Sequence, residues 1–258
     1  MCLIAVALDA HPRYPLVIAA NRDEFHDRPA APADWWPGTA SVFGGRDLLK
    51  GGSWLALARD RRWAVVTNVR RMIPPDPKAP SRGALVADYV SREDDPADYV
   101  ARLGASATAH PGFNLLVGVG SRAHYATNHP RYRTAALSAG IHAVSNASLD
   151  TPWPKLVRLR AALQRWCAER CDDFTPLFAA LADSRPAPDE ALPDTGVGLE
   201  TERFLSPPFI RGDRYGTRAS TVLAMRADGR VRFWERRFGP LGRASGETQC
   251  ELCLAAGT

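Results

Sequence analysis

The chain has 258 residues, 45% of them hydrophobic and 24% charged, with a formal net charge of +5. That length supports a full hydrophobic core, and that composition excludes a disordered or fibrous chain. The positive charge is almost all arginine and is scattered, with lysine only at 50, 78 and 155. The densest basic groups, at 59–62, 68–71 and 235–237, form no stripe and belong to no recognised module, so nucleic-acid binding is not expected. Two readings of the arginines stay open: a solvated surface set by composition, or a mildly cationic pocket for a carboxylate or phosphate. Five cysteines, an odd number in a chain too long to need stapling, point to a reducing compartment. The apolar start is too short for a signal peptide or a membrane span, so a soluble cytoplasmic protein is expected.

In chain order, "CLIAVAL" (2–8) and "LVIAA" (16–20) are continuous apolar runs joined by turn chemistry, and they predict a hairpin of buried strands. The polar cluster Asn21-Arg22-Asp23-Glu24 closes the second strand. The proline-rich stretch 28–38 reads as a loop carrying Trp35 and Trp36. "SWLALAR" and "WAVVTNV" predict two more strands, and the glycine-rich 44–52 predicts tight turns or a close backbone approach to a ligand. Helical pattern follows at "ALVADYVSR" and "ADYVARL". "FNLLVGVG" and "HYATN" predict a hairpin, and "GIHAVSN" a strand with a polar end. The longest helix is expected over 153–170, with Leu156, Leu159, Leu163 and Trp166 on one apolar face. A short helix follows over 174–182 and a loop over 184–198. Asp228-Gly229 between two strand-like runs is a strong hairpin signal. The tail 240–258 reads as peripheral and without clear structure. Many hairpins and a few bunched helices predict one α+β domain over 1–258 with helices packed on sheets.

The chemistry is concentrated at the amino terminus. If Met1 is removed, Cys2 carries both a thiol and a free α-amine, whose ordinary pKa near ~8 suits it to take the thiol proton. A strand holds that end rigidly. Such a site needs a carboxylate for the amine, a cation for the thiolate and a donor for the oxyanion. Asp23, Arg22, Asn68, Asn146 and Arg218 stand at strand ends where they would supply these. Read from the residue alone, Cys2 is either a small buried hydrophobe or a nucleophile.

The ordered set "MCLIAVAL…LVIAANRDEF…GGRDLLKGGSWLAL…VVTNVR…SNASLDTPWPK…GTRASTVL" closely resembles the NRDE protein family, whose eukaryotic members are called transport and Golgi organisation proteins. The resemblance runs from Cys2 to about Phe238. It implies the N-terminal nucleophile hydrolase fold, a four-layer αββα sandwich of two antiparallel sheets between helix layers. A more distant similarity is to choloylglycine hydrolases, amidases with an N-terminal cysteine. It implies Cys2 as nucleophile, Asp23 as the carboxylate that orients its amine, Asn68 and Asn146 as oxyanion-side asparagines and Arg218 as the late arginine. In those enzymes the early arginine stands three residues before the aspartate; that position here is Ala20, and Arg22 is adjacent to Asp23. Neighbouring strand residues face opposite ways, which leaves open whether Arg22 points at the thiol. Arg22 stands with Asn21, Trp35, Trp36 and Trp54 as a substrate-binding candidate.

Two functions follow from the resemblance. One is hydrolysis of a small-molecule amide by Cys2, with no cofactor required. The other is non-enzymatic binding of haem or an acyl ligand. Cys250-x-x-Cys253 and Cys167 with Cys171 have metal-ligand spacing, but nothing in the sequence places the two pairs together, so no metal is assigned.

Overall fold

The structure is a computed structural model that describes residues 2–38, 41–70, 76–170 and 172–254. The chain opens with strands β1 (Cys2–Leu8), β2 (Leu16–Phe25), β3 (Ala30–Trp35), β4 (Val42–Asp47), β5 (Leu55–Ala58) and β6 (Arg62–Asn68). Helices α1 (Arg82–Val90) and α2 (Pro96–Leu103) follow, then β7 (Phe113–Val119), β8 (Arg122–Thr127), β9 (Arg133–Ala136) and β10 (Gly140–Val144). Helices α3 (Pro154–Ala168), α4 (Thr175–Leu181) and α5 (Leu199–Leu205) precede the last strands, β11 (Tyr215–Met225), β12 (Arg230–Phe238) and β13 (Ala244–Cys253).

The strands form two antiparallel sheets, ordered β10-β1-β2-β11-β12-β13 and β3-β4-β5-β6-β7-β8-β9. The period-2 alternation of strands explains why β1 and β2 read as unbroken apolar runs. Ile4, Val6, Leu8, Leu16 and Ile18 point between the sheets, where they meet Leu57, Trp63, Val65 and Leu116. Leu3, Ala5, Ala7, Val17 and Ala19 point the other way, against Leu156, Leu159, Leu163 and Trp166 of α3 and Leu177 and Leu181 of α4. The second sheet buries Val66, Leu115 and Val117 under Leu85, Val86 and Tyr89 of α1 and Tyr99 and Val100 of α2. The layers are therefore helix, sheet, sheet, helix.

The expected hairpins and the helices over 82–103 and 154–181 are present. The helix starts follow the sequence: Ser81 Oγ accepts from Gly83 N at 3.1 Å, and Asp95 Oδ1 accepts from Ala97 N at 2.8 Å just before Pro96.

Several stretches differ from expectation: residues 44–47, expected as tight turns, belong to strand β4, paired on both sides, and neither β9 nor α5 is among the expected elements. Residues 30–35 are the edge strand β3, not loop. Pro32 is tolerated because the pairing with β4 slips between Ala31 and Asp34, at an edge that needs no donor from it. The tail is structured as far as Cys253: β13 pairs with β12 along its length, and Leu252 is buried in the core between the sheets. Its alternation is hard to see because one face is solvent-exposed and polar.

Candidate active site

Cys2 begins β1, half-buried, on the face that points between the sheets. Its register partner across the hairpin is Arg22. Paired residues on neighbouring antiparallel strands share a face, so Arg22 stands beside the thiol and the open question about its direction is resolved. Both line a cleft of about 210 Å³ whose walls include Asp23, Trp54, Asn68 and Arg82. The Arg22 guanidinium lies 4.2 Å from the centre of the Trp54 ring. Burial pushes the Cys2 thiol pKa up and the Asp23 carboxylate adds to that, while the Arg22 charge opposes it.

Asp23 sits one residue past the Cys2–Arg22 pair, on the side of the Cys2 α-nitrogen, and reaches the cleft beyond the start of β1. It accepts a 2.7 Å hydrogen bond from Thr217 Oγ1. Burial raises its pKa, opposed first by the charge of Lys155. Lys155, on α3, is 2% exposed and its Nζ donates to Leu205 O at 3.2 Å. Burial lowers its pKa to about 8, and Asp23 is the main influence holding it up. Behind it lies a buried Arg70–Glu202 ion pair, with Glu202 Oε1 also accepting from Thr195 N at 3.0 Å. The sequence reading missed Lys155, Arg70 and Glu202. One signal existed: Lys155 falls four residues before Leu159, on the buried stripe of α3, in a chain that otherwise prefers arginine.

Asn68 ends β6 in the second sheet and Asn146 follows β10 in the first. Asn146 Nδ2 donates to both Asn68 O and Asn68 Oδ1 at 3.0 Å, so it clasps the two sheets at the cleft. With the Asn68 carboxamide oxygen engaged, its NH₂ is the end left for the cleft that Asn68 lines. Ser145 Oγ donates to Cys2 O at 3.0 Å, which ties β1 to the same corner. Asn146 is buried, is not among the residues lining the cleft, and contacts Asn68 instead.

Four further sequence candidates lie elsewhere. Asn21 alternates to the helix side of β2. Its Nδ2 donates to Leu181 O and Pro208 O, each at 2.8 Å, and its Oδ1 accepts from Ser220 Oγ at 2.6 Å. It fastens the sheet to α4 and does not reach ligand space. Arg218 falls at the register slip between Thr217 and Ala219 and turns away from the cleft; its Nη1 donates to Phe25 O at 2.7 Å and Arg28 O at 3.0 Å. Trp35 lines a separate cavity of about 430 Å³ with Phe43, Arg237, Cys250 and Leu252. Trp36 packs on the outer core of the second sheet, and its Nε1 donates to Gly44 O at 2.9 Å. Only Trp54 of the three tryptophans reaches the cleft. Cys250 and Cys253 point to opposite faces of β13, one half-buried and one exposed; Cys171 lies outside the described residues. Among the described residues no group of three or more His, Cys, Asp or Glu is placed to hold a metal ion, and no helix is long and apolar enough to cross a membrane.

The family model described as Transport and Golgi organisation 2 matches residues 1–240. The chain belongs to the Transport and Golgi organisation 2 family. It is 33% identical to the Bos taurus "Transport and Golgi organization protein 2 homolog" over 92% of each chain. To the human homolog it is 31% identical, again over 92% of each, and to the Drosophila melanogaster protein 35% over 91% of each. Among solved structures it is similar to a single-residue variant of conjugated bile acid hydrolase from Clostridium perfringens, with a TM-score of 0.52, 7% identity and 99% and 98% coverage. It is also similar to the Caenorhabditis elegans ortholog of N-acylethanolamine-hydrolyzing acid amidase, with a TM-score of 0.50, 11% identity and 86% and 92% coverage. At such identities these two neighbours speak for the fold alone, and this family member has the N-terminal nucleophile hydrolase-like sandwich.

Proposed function

We propose that this protein hydrolyses a non-peptide amide bond, with Cys2 as nucleophile once Met1 has been removed. The observation that carries the reading is the meeting of Cys2, Arg22, Asp23 and Asn68 in one cleft. The α-amine of Cys2 takes the thiol proton, and the sulfur attacks the acyl carbon. A C–S bond forms, and the carbonyl electron pair moves onto an oxygen held by the Asn68 NH₂. The C–N bond then breaks, and the leaving amine takes the proton from the α-ammonium. Water attacks the thioester, giving its proton to the α-amine. The C–S bond breaks, the acid leaves, and the ammonium returns the proton to sulfur. Asp23 orients the amine, Arg22 favours the thiolate, and Asn146 positions Asn68.

No observation favours the haem or acyl-carrier alternative. Among the described residues no histidine lines the cleft, and the Trp54 ring, its one aromatic wall, is already stacked by Arg22.

The test is intact-mass spectrometry of the purified protein, then turnover of a panel of fluorogenic N-acyl amides. The expected outcome is loss of Met1 and turnover that falls at least about a thousandfold in Cys2→Ala. Retained Met1, or turnover indifferent to Cys2→Ala, would sink the reading.

A further inference from the structure

Four cationic side chains line the cleft: Arg22, Arg28, Lys50 and Arg82. Two are committed. Arg28 Nη2 is 2.5 Å from Asp47 Oδ2, and its Nε is 3.8 Å from Glu24 Oε2. Lys50 Nζ donates to Pro77 O at 2.9 Å. Arg22 and Arg82 are different. Arg22 is only 7% exposed, yet among the described residues it makes no ion pair and stacks only on Trp54. Arg82 has one long hydrogen bond, 3.3 Å from Nη1 to Gly112 O, and no carboxylate partner among the described residues. Burial acts against its charged state, Cys2 and Glu24 favour it, and neighbouring Arg28 opposes it. Of the four carboxylates that line the cleft, Glu24 and Asp47 pair with Arg28, Asp23 lies opposite Lys155, and Asp76 Oδ1 accepts from Lys78 N at 2.8 Å.

A third feature has the same sign. Arg82 is the first residue of α1, and Ser81, Arg82 and Gly83 all line the cleft, so the positive end of the nine-residue helix opens there. Its first turn carries no acidic residue. The helix end is held in place by close backbone packing. Ser53 N donates to Gly83 O at 3.1 Å, and a Cβ on Gly52, at φ +82°, would lie 2.3 Å from Gly83 C. Two desolvated guanidinium groups and a helix N-terminus facing one small space are a receptor for an oxyanion.

We propose that the substrate of this cleft carries an oxyanion (carboxylate, sulfonate or phosphate) held between Arg22 and Arg82 at the amino end of α1. The substrate class is then an amide that bears an acid, and this inference rests on the hydrolase reading of the Cys2 cleft.

The experiment uses the full chain with Cys2→Ala, which binds without turning over. Calorimetric titration compares N-decanoyl amides of glycine, taurine and phosphoethanolamine with the neutral amide of ethanolamine. At least one anionic amide is expected to bind about tenfold or more tighter than the neutral one, a difference of about 1.4 kcal/mol. Which of the three wins identifies the oxyanion. The preference is expected to shrink with added salt and largely vanish in Arg82→Gln, while Arg82→Lys, which keeps the charge at the helix end, retains part of it. Equal binding of neutral and anionic amides overturns the proposal, as does a preference unchanged in both Arg82→Gln and Arg22→Gln. An anionic preference without turnover by the wild type removes the hydrolase reading and leaves the oxyanion site. Turnover of neutral amides as fast as anionic ones does the reverse.

Discussion

The two faces of the first sheet at its Cys2 end make a sharp contrast, although both are built from the same four-residue cluster. On the side between the sheets, Arg22 and Glu24 join Cys2 in an open cleft whose four cations are matched in number by four carboxylates, yet Arg22 and Arg82 form no ion pair among the described residues. On the helix side, Asn21 and Asp23 enter a buried polar layer containing Thr217, Ser220, Lys155, Arg70 and Glu202, from whose edge Asp23 still reaches the cleft. One face leaves Arg22 and Arg82 without an ion pair among the described residues; the other pairs or hydrogen-bonds the groups it buries. The difference teaches that adjacent residues in a motif do not share a job when they lie in a strand. The helix side holds the sheet and surrounds Asp23 with charge, and in the proposed function the cleft side meets the substrate.

Substitutions on the helix side should therefore reach stability first, and those on the cleft side turnover first. The largest effect is expected from Glu202→Ala. It leaves Arg70 charged and buried without its partner, at a cost of about 3–5 kcal/mol, read by urea unfolding. Asn68→Ala on the cleft side should cost turnover about a hundredfold, or about 2.7 kcal/mol, through loss of the proposed oxyanion donor. Its unfolding midpoint should move far less than that of Glu202→Ala; a reversed order would erase the division between the faces. Asn21→Ala should destabilise by about 2 kcal/mol, because Leu181 O, Pro208 O and Ser220 Oγ lose their buried partner.

The remaining effect is on pH dependence. Lys155 titrates at about 8 in the folded chain against an ordinary 10.5, so between those values the unfolded chain binds more protons. Stability should rise with pH across that window. The charges bearing on Lys155 are those of Asp23, Arg70, Cys2 and Glu202. Unfolding measured at several pH values should show that rise in the wild type and lose it in Lys155→Met. An identical profile in the two proteins would mean that Lys155 is not the group responsible.

The local pattern of the sequence determined much of this protein by itself. Continuous apolar runs made β1 and β2 a buried hairpin, since strands covered on both faces need apolar residues at every position. The 3.6-residue spacing of Leu156, Leu159 and Leu163 made α3. The thiol at position 2 and the polar end of β2 marked the end of the sheet where the cleft opens. Tertiary structure decided the rest, because a face is set by pairing register and not by composition. Only the pairing of Cys2 with Arg22 turned that arginine toward the thiol. Only alternation took Asn21 out of ligand space, and only the slip beside Ala219 turned Arg218 away. Asn68 and Asn146, 78 positions apart, became one unit because the two sheets meet at that corner. Lys155 came close to Asp23, and Arg82 came to line the same cleft as Arg22, through the packing of helices on opposite sides of the sandwich, placements too remote in sequence for any local pattern to record.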